Sequence, residues 1–354
     1  MKKKIKLFDP NIGKDEKQKI SQVLESKFWA SGSGTGNVLK FENQFKKYLS
    51  SDDCVAVNSG TSALNLALSL IDIKKKEVIL PSLSFVSTAH AVIINGGTPV
   101  FVDIEPETMC IDPNEIQKSI TPKTTAILPV HFGGFPCNLK DIQNIAEKHN
   151  LTIIEDAAHA VGATYNNKKI GNHGTAVCFS FHPVKNLAMP TGGLISINHK
   201  NHKQFRKTLL ARRWCGITDR IGSEYNVKEL GWNYYMNEFS AVIGLAQLKK
   251  LNRLNNIRKN IAKFYDNQID VEHKTVFNKD CSYHLYWILV KNRKKFREKM
   301  WKAGIETGTH YKPIHTMKMY QNHTVLLNTE RVGKQIVTIP IHPNLKTFEL
   351  DKIV

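Results

Sequence analysis

Three short segments of this chain carry residue types that could act together on one ligand. In Asn58-Ser59-Gly60-Thr61-Ser62-Ala63, a glycine and several hydroxyls stand at the start of a helical pattern. Gly60 lets the backbone approach closely, Thr61 offers a hydroxyl, and a new helix presents free N–H groups at its positive end. That combination suits a phosphate, although a plain helix cap has the same residues. In Glu155-Asp156-Ala157-Ala158-His159, a carboxylate sits beside small alanines, so Asp156 could reach a flat ligand or cap a helix. In Ser180-Phe181-His182-Pro183-Val184-Lys185-Asn186, followed by Gly192-Gly193, Lys185 lies in a turn between two apolar runs. Burial there would lower its pKa and make the amine a carbonyl nucleophile; the plainer alternative is a solvated loop lysine.

The combination is more specific than its parts. A phosphate cradle, a carboxylate and a buried lysine are what pyridoxal 5'-phosphate needs. The lysine forms the Schiff base, the carboxylate keeps the pyridine nitrogen protonated, and the cradle anchors the phosphate. Phe85, in the segment PSLSFVSTAHAV, could cover one face of the ring or pack in the core.

These segments need a scaffold that brings them to one place. Short β-branched runs at 54–58, 77–81, 98–102, 125–130, 151–155, 176–180 and 192–197 alternate with helical patterns at 61–70, 85–93 and 139–150. Continuous apolar strands separated by helices predict an α/β domain with a largely parallel sheet covered on both faces. Such sheets bind ligands beyond the carboxyl ends of their strands, where all three segments fall. From Asn237 a helical pattern runs for some thirty positions. SYHLYWILV then reads as a strand, FREKMWKAG as a helix closed by Gly304, and 337–342 as a further strand. The expected division is a large α/β domain over 1–240 and a smaller α+β domain over 241–354.

Composition narrows the function classes. The 354 residues carry 50 Lys plus Arg against 31 Asp plus Glu, a formal charge of +19. Nucleic-acid binding would need these charges in a stripe or a reading helix, but they are spread along the whole chain. The excess could instead draw in phosphorylated, anionic ligands. The N-terminal MKKKIKLFDP places Asp9 and Pro10 where a signal peptide needs apolar residues, and no apolar run approaches the roughly 18 residues of a membrane helix. The six cysteines are scattered without a CxxC pair, which predicts reduced thiols, no metal site and a cytoplasmic location.

At the level of whole motifs, the sequence resembles the DegT/DnrJ/StrS family of pyridoxal-phosphate sugar aminotransferases, within fold type I. The segments SGTSALNLAL, PSLSFVSTAHAV, FVDIEPETMCIDP, LPVHFGG, IIEDAAHAVGA, FSFHPVKN, GWNYYMNEFSAVIGLAQL and HYKPIH carry the likeness, which runs from about Phe8 to Ile353. The resemblance implies a mainly parallel seven-stranded sheet in the large domain. Lys185 matches the Schiff-base lysine that also shuttles the proton, and Asp156 matches the acid at the pyridine nitrogen. His159 matches a position beside the cofactor's hydroxyl, Gly60, Thr61 and Ser180 match phosphate contacts, and Phe85 matches the ring-stacking aromatic. Asn233 matches an asparagine that reaches the phosphate held by a neighbouring subunit, which implies a homodimer with shared active sites. His310, Tyr311 and His315 lie where the family's substrate cleft closes, though a histidine–tyrosine cluster also serves as packing.

The implied reaction moves an amino group, usually from glutamate, to a nucleotide-linked keto-sugar such as a 4-keto-6-deoxyhexose, at C3 or C4. Its place would be surface-polysaccharide (including lipopolysaccharide) or other amino-sugar biosynthesis. Three departures bear on specificity. Tyr235 stands where Gly-x-Asn-Tyr-Arg-Met has arginine, 188–193 reads AMPTGG where the family has a glycine- and glutamate-rich turn, and Cys215-Gly216 replaces a common His-Gly pair. Relatives that dehydrate sugars carry histidine in place of the lysine, which Lys185 argues against. A regulatory or nucleic-acid-binding relative is the remaining alternative.

Overall fold

The computed structural model describes residues 4–321 and 324–354; residues 1–3 of the basic start lie outside the described residues. Seven strands form one sheet: β1 (Asp53–Val57), β2 (Glu77–Pro81), β3 (Thr98–Val102), β4 (Thr124–Ile127), β5 (Thr152–Asp156), β6 (Ala176–Ser180) and β7 (Gly193–Ile197). Their spatial order is β1-β7-β6-β5-β4-β2-β3. Each coincides with an expected strand to within a few residues. The apolar runs alternate between two cores: Ala56 and Ile79 face one, while Val55, Val57, Val78 and Leu80 face the other. Both faces are covered, which is why the runs read as continuous.

The sheet is parallel except at one strand. β7 pairs antiparallel with both β6 and β1. The segment between β6 and β7 contains no helix, so the chain returns directly beside β6 rather than crossing over. That direct return makes the loop that carries Lys185.

Helix α1 (Gly36–Leu49) packs beside β1, α2 (Gly60–Leu68) follows β1, α3 (Ser87–Ile94) follows β2, and α4 spans Glu238–Gln268. Asn237 caps α4, its side chain accepting from Ser240 N–H. Beyond α4, β8 (Tyr286–Leu289) pairs antiparallel with β9 (Ile336–Ile339), and Ile5 near the start bridges to Ile305. The helix Arg293–Lys302 ends at Gly304, whose φ of 78° is the left-handed geometry glycine permits. Among the described residues, no helix is long and apolar enough to cross a membrane.

A buried ion pair fixes the strand that leads to the first motif. Glu42 on α1 and Arg213 are 1% and 0% exposed, with Nη1 to Oε1 at 2.7 Å. Glu42 Oε1 also accepts from Ala56 N–H at 2.9 Å, and Arg213 donates to the Ala56 carbonyl at 2.8 Å. Both charges therefore clamp β1 two residues before the Asn58-Ser59-Gly60 turn. Glu42 is also paired with Arg206 at 3.0 Å, but Arg213 has no other acidic partner among the described residues, so removing Glu42 leaves the Arg213 charge buried and uncompensated, a cost of about 3–5 kcal/mol. Glu42→Ala is expected to lower the denaturant midpoint accordingly, and an unchanged midpoint would show that the clamp contributes nothing.

Candidate active site

The carboxyl ends of β1, β5 and β6 converge on a cavity of about 340 Å³ lined by residues from all three motifs. Ser59 caps α2 by accepting from Ser62 N–H at 3.1 Å, and Gly60 and Thr61 of the first turn, whose N–H groups precede that bond, line this space. Gly60 is held tightly: a Cβ there would lie 2.7 Å from Ser180 Cβ. Gly193 is tighter still, since a Cβ would stand 2.2 Å from the Ser59 carbonyl oxygen. The start of β7 is thus pressed against the α2 turn, and Ser180 forms the opposite side of a small polar cradle.

At the end of β5, Asp156 is 5% exposed and receives two donors. Thr88 Oγ1 on α3 donates to one carboxylate oxygen at 2.9 Å, and Ala158 N–H donates to the other at 3.1 Å. Burial pushes the Asp156 pKa up, while Ala158, Thr88 and Lys185 oppose it. Two converging donors suit a group that only accepts, and a cation seated beside it would hold it ionised.

Lys185 is positioned by a loop that closes on itself. Phe181 N–H donates to the Gly192 carbonyl and Met189 N–H to the Phe181 carbonyl, while Leu187, Ala188 and Met189 are buried beneath. Asn186 donates to Asn255 Oδ1 on α4 at 3.0 Å and to the Ser282 carbonyl at 2.7 Å. Lys185 Nζ faces His284 Nε2 at 3.3 Å. Burial lowers the Lys185 amine to about 8, with Asp156 opposing.

One wall of the cavity is aromatic. His159 Nδ1 accepts from Gly133 N–H at 3.2 Å, so its Nε2 carries the proton and donates to the Tyr311 hydroxyl at 3.0 Å. Burial, then Lys185 and His310, hold His159 well below the usual imidazole value, and it is neutral. Burial chiefly raises the Tyr311 phenol, with Asp156 adding to it. His310 is lowered to about 4, by burial first and Lys185 second, and its Nδ1 pairs with Thr338 Oγ1 at 2.8 Å. Phe85 lies at the mouth, 55% exposed, with its ring 6.1 Å from that of Tyr311.

The structure therefore gathers Gly60, Thr61, Phe85, Asp156, His159, Ser180, Lys185, His310 and Tyr311 around one cavity. Three expected residues lie elsewhere. Asn233 and Tyr235 line a second depression, which shares only Ser59, Thr61 and Thr191 with the first. The backbone sets that place, because Asn58 Nδ2 donates to the Asn233 carbonyl at 3.2 Å and Asn58 N–H to that of Tyr234 at 2.7 Å. His315 is 3% exposed and lines neither space; its Nδ1 pairs with Ser82 Oγ at 2.6 Å, which ties its segment to the end of β2. In the single chain its side chain packs there instead of facing either space. Thr88 and His284 were not anticipated. Thr88 stands one helical turn from Phe85, a spacing that could have been read. His284 lies 99 positions from Lys185 in what reads as a core strand, and nothing local links the two.

The DegT/DnrJ/EryC1/StrS aminotransferase family profile matches residues 10–354. The chain belongs to that family. It is an aminotransferase, and the dependence on pyridoxal phosphate expected from its sequence stands with it. The aminotransferase is 34% identical to the uncharacterized protein MJ1066 of Methanocaldococcus jannaschii, over 98% of this chain and 95% of that one. It is similar in structure to Helicobacter pylori PseC, an aminotransferase involved in the biosynthesis of pseudoaminic acid. That match has a TM-score of 0.92 and 30% identity, covering 99% of this chain and 97% of the other. The sugar aminotransferase CalS13 of Micromonospora echinospora matches at a TM-score of 0.90 and 28% identity, covering 98% and 97%.

The residues of this aminotransferase's cavity fit pyridoxal phosphate. The cradle at Gly60 and Ser180 leaves no room for a further side chain, Asp156 is arranged as an acceptor, and Lys185 is a buried amine of lowered basicity. A pH dependence follows. Below about 8 the amine is mostly protonated; above it, the neutral nucleophile dominates. When cofactor-free protein is mixed with pyridoxal phosphate, the rate at which the lysine-bound cofactor absorbs should rise with pH and level off above a midpoint near 8. A rate still climbing beyond about pH 10 would indicate an ordinary, solvated lysine.

Proposed function

We propose that this aminotransferase transfers an amino group from glutamate to a nucleotide-linked keto-sugar, with a 4-keto-6-deoxyhexose as the best-fitting class and C3 or C4 as the site of amination. The observation that carries the reading is the placement of a buried amine of lowered basicity, a twice-bonded carboxylate and a helix N-terminus around one cavity. The likeness to PseC and to the sugar aminotransferase CalS13 supports a sugar as acceptor. The positive charge of the chain supports an anionic, nucleotide-linked one.

The bound cofactor would supply an electron sink that makes the amino-bearing carbon of the substrate acidic. This chain's residues would do the rest. Lys185 Nζ would hold the cofactor between turnovers and, once displaced, carry the proton from one carbon to the other. Asp156 would keep a proton on the pyridine nitrogen, Gly60, Thr61 and Ser180 would bind the phosphate, and Phe85 would cover the exposed ring face. The His159–Tyr311 pair would face the hydroxyl side, where neutral imidazole adds no competing charge.

Asn233 and Tyr235 lie outside the single-chain cavity, and this favours a homodimer in which Asn233 serves the neighbouring site. Tyr235, in the arginine place, would contact the sugar without a formal charge. The experiment is incubation of the holoenzyme with glutamate and a panel of nucleotide-linked keto-sugars, followed by mass spectrometry. A product in which an amine replaces one carbonyl oxygen, formed only with glutamate, supports the assignment. Turnover confined to unlinked sugars or to amino acids contradicts it.

A further inference from the structure

We infer that His284 is a positioning residue for Lys185, holding the amine at one point in the cavity wall whenever it is free of cofactor. The inference rests on Lys185 being the cofactor lysine. His284 is 1% exposed, and its Nε2 lies 3.3 Å from Lys185 Nζ, the one hydrogen-bond partner found for that amine among the described residues.

The manner in which the ring is held decides what it can do. The other nitrogen, Nδ1, is buried and has no partner among the described residues. Rings take the place of a hydrogen bond: Phe8 stacks on His284 at 5.5 Å and 17°, and His159 lies against it at 4.6 Å and 41°. Below it, Arg258 on α4 donates to the Tyr283 carbonyl at 3.4 Å, fixing the adjacent backbone. A histidine's tautomer is set by whatever its second nitrogen bonds. His159 is pinned in this way by Gly133 N–H, whereas His284 is not. With Nδ1 unpinned, Nε2 can accept from the lysine as an ammonium or donate to it as a neutral amine. A proton carrier passes through both states in each cycle, so its partner must serve both.

The charged and titratable groups facing His284 are Lys185, His159, Arg258 and His310. Burial, first among the causes, and these neighbours hold it well below the usual imidazole value. It is therefore a neutral hydrogen-bonding partner and not a second acid.

Two substitutions separate positioning from packing. His284→Phe keeps a ring to stack on Phe8 but has no polar atom to face Lys185. His284→Gln loses the ring but retains an amide that can both accept and donate. For His284→Phe, we expect amine transfer to fall about tenfold to a hundredfold, the loss typical of a misplaced reacting group. KM for the amino donor should stay within about twofold, since the substrate is bound by other groups. The rate at which cofactor-free protein captures pyridoxal phosphate should fall in parallel. His284→Gln should recover most of both rates. The reverse order, with Phe active and Gln impaired, or equal impairment of both, would overturn the inference and leave His284 a packing residue. If the unsubstituted protein fails to capture the cofactor on Lys185, the function proposed above fails with it.

Discussion

Lys185→Ala is expected to abolish amine transfer and to remove the visible absorbance of lysine-bound cofactor, while the protein stays folded. The residue stands in a loop closed by backbone bonds at Phe181, Met189 and Gly192 and anchored through Asn186, none of which uses the lysine side chain. Removing the amine therefore deletes chemistry without loosening the loop. General acid–base groups typically contribute 10²–10⁴-fold. In the proposed mechanism one atom would both anchor the cofactor and carry the proton, so the loss should exceed about 10⁴-fold. Thermal melting of the cofactor-free variant checks the fold independently. A variant that kept both colour and turnover would refute the role of Lys185.

Asp156→Asn is the second large effect. The carboxylate receives Thr88 Oγ1–H and Ala158 N–H on its two oxygens, at 2.9 and 3.1 Å. An amide of the same size would turn an NH₂ group toward one of these donors. The Thr88 hydroxyl has alternative partners in the Phe85 carbonyl at 3.0 Å and Ser84 Oγ at 2.7 Å, so local structure can adapt. What cannot adapt is the charge. In the role proposed for Asp156, loss of the buried carboxylate would leave the pyridine nitrogen without the group that keeps it protonated. Loss of one preorganised electrostatic contact costs about 10²–10³-fold in rate. The measurement is the half-reaction with glutamate, followed by cofactor absorbance at saturating donor. A change of less than about threefold would mean that the pyridine nitrogen lies elsewhere.

Much of this site was legible because its chemistry lies at strand ends. Residues 58–61, 156–159 and 180–185 each follow an apolar run directly, so local pattern and global placement coincide. The sheet orders these strands so that three separated segments meet. The reversed direction of β7 was not legible, because an apolar strand carries no sign of its direction and only the helix-free return loop dictates it. His284 was hidden for a related reason. In SYHLYWILV it looks like one more buried residue of a strand, and only the packing of that segment against Asn186 and Lys185 gives it a partner. Asn233 and Tyr235 are the opposite case: motif resemblance pointed to them, but the single chain sets them in a neighbouring depression, and the proposed dimer gives them their place.

The charge of +19 has a modest place in this account. Glu42 and Asp156 are buried among the partners described above, whereas much of the lysine excess lies on exposed helix faces such as Arg293–Lys302, none of whose residues is buried. The excess would favour encounter with phosphorylated ligands without defining a second function.

The most direct test is to load the protein with pyridoxal phosphate, reduce it with borohydride and map the modified peptide by mass spectrometry. The account predicts one stable adduct on Lys185. An adduct on any other lysine, or none at all, would contradict it.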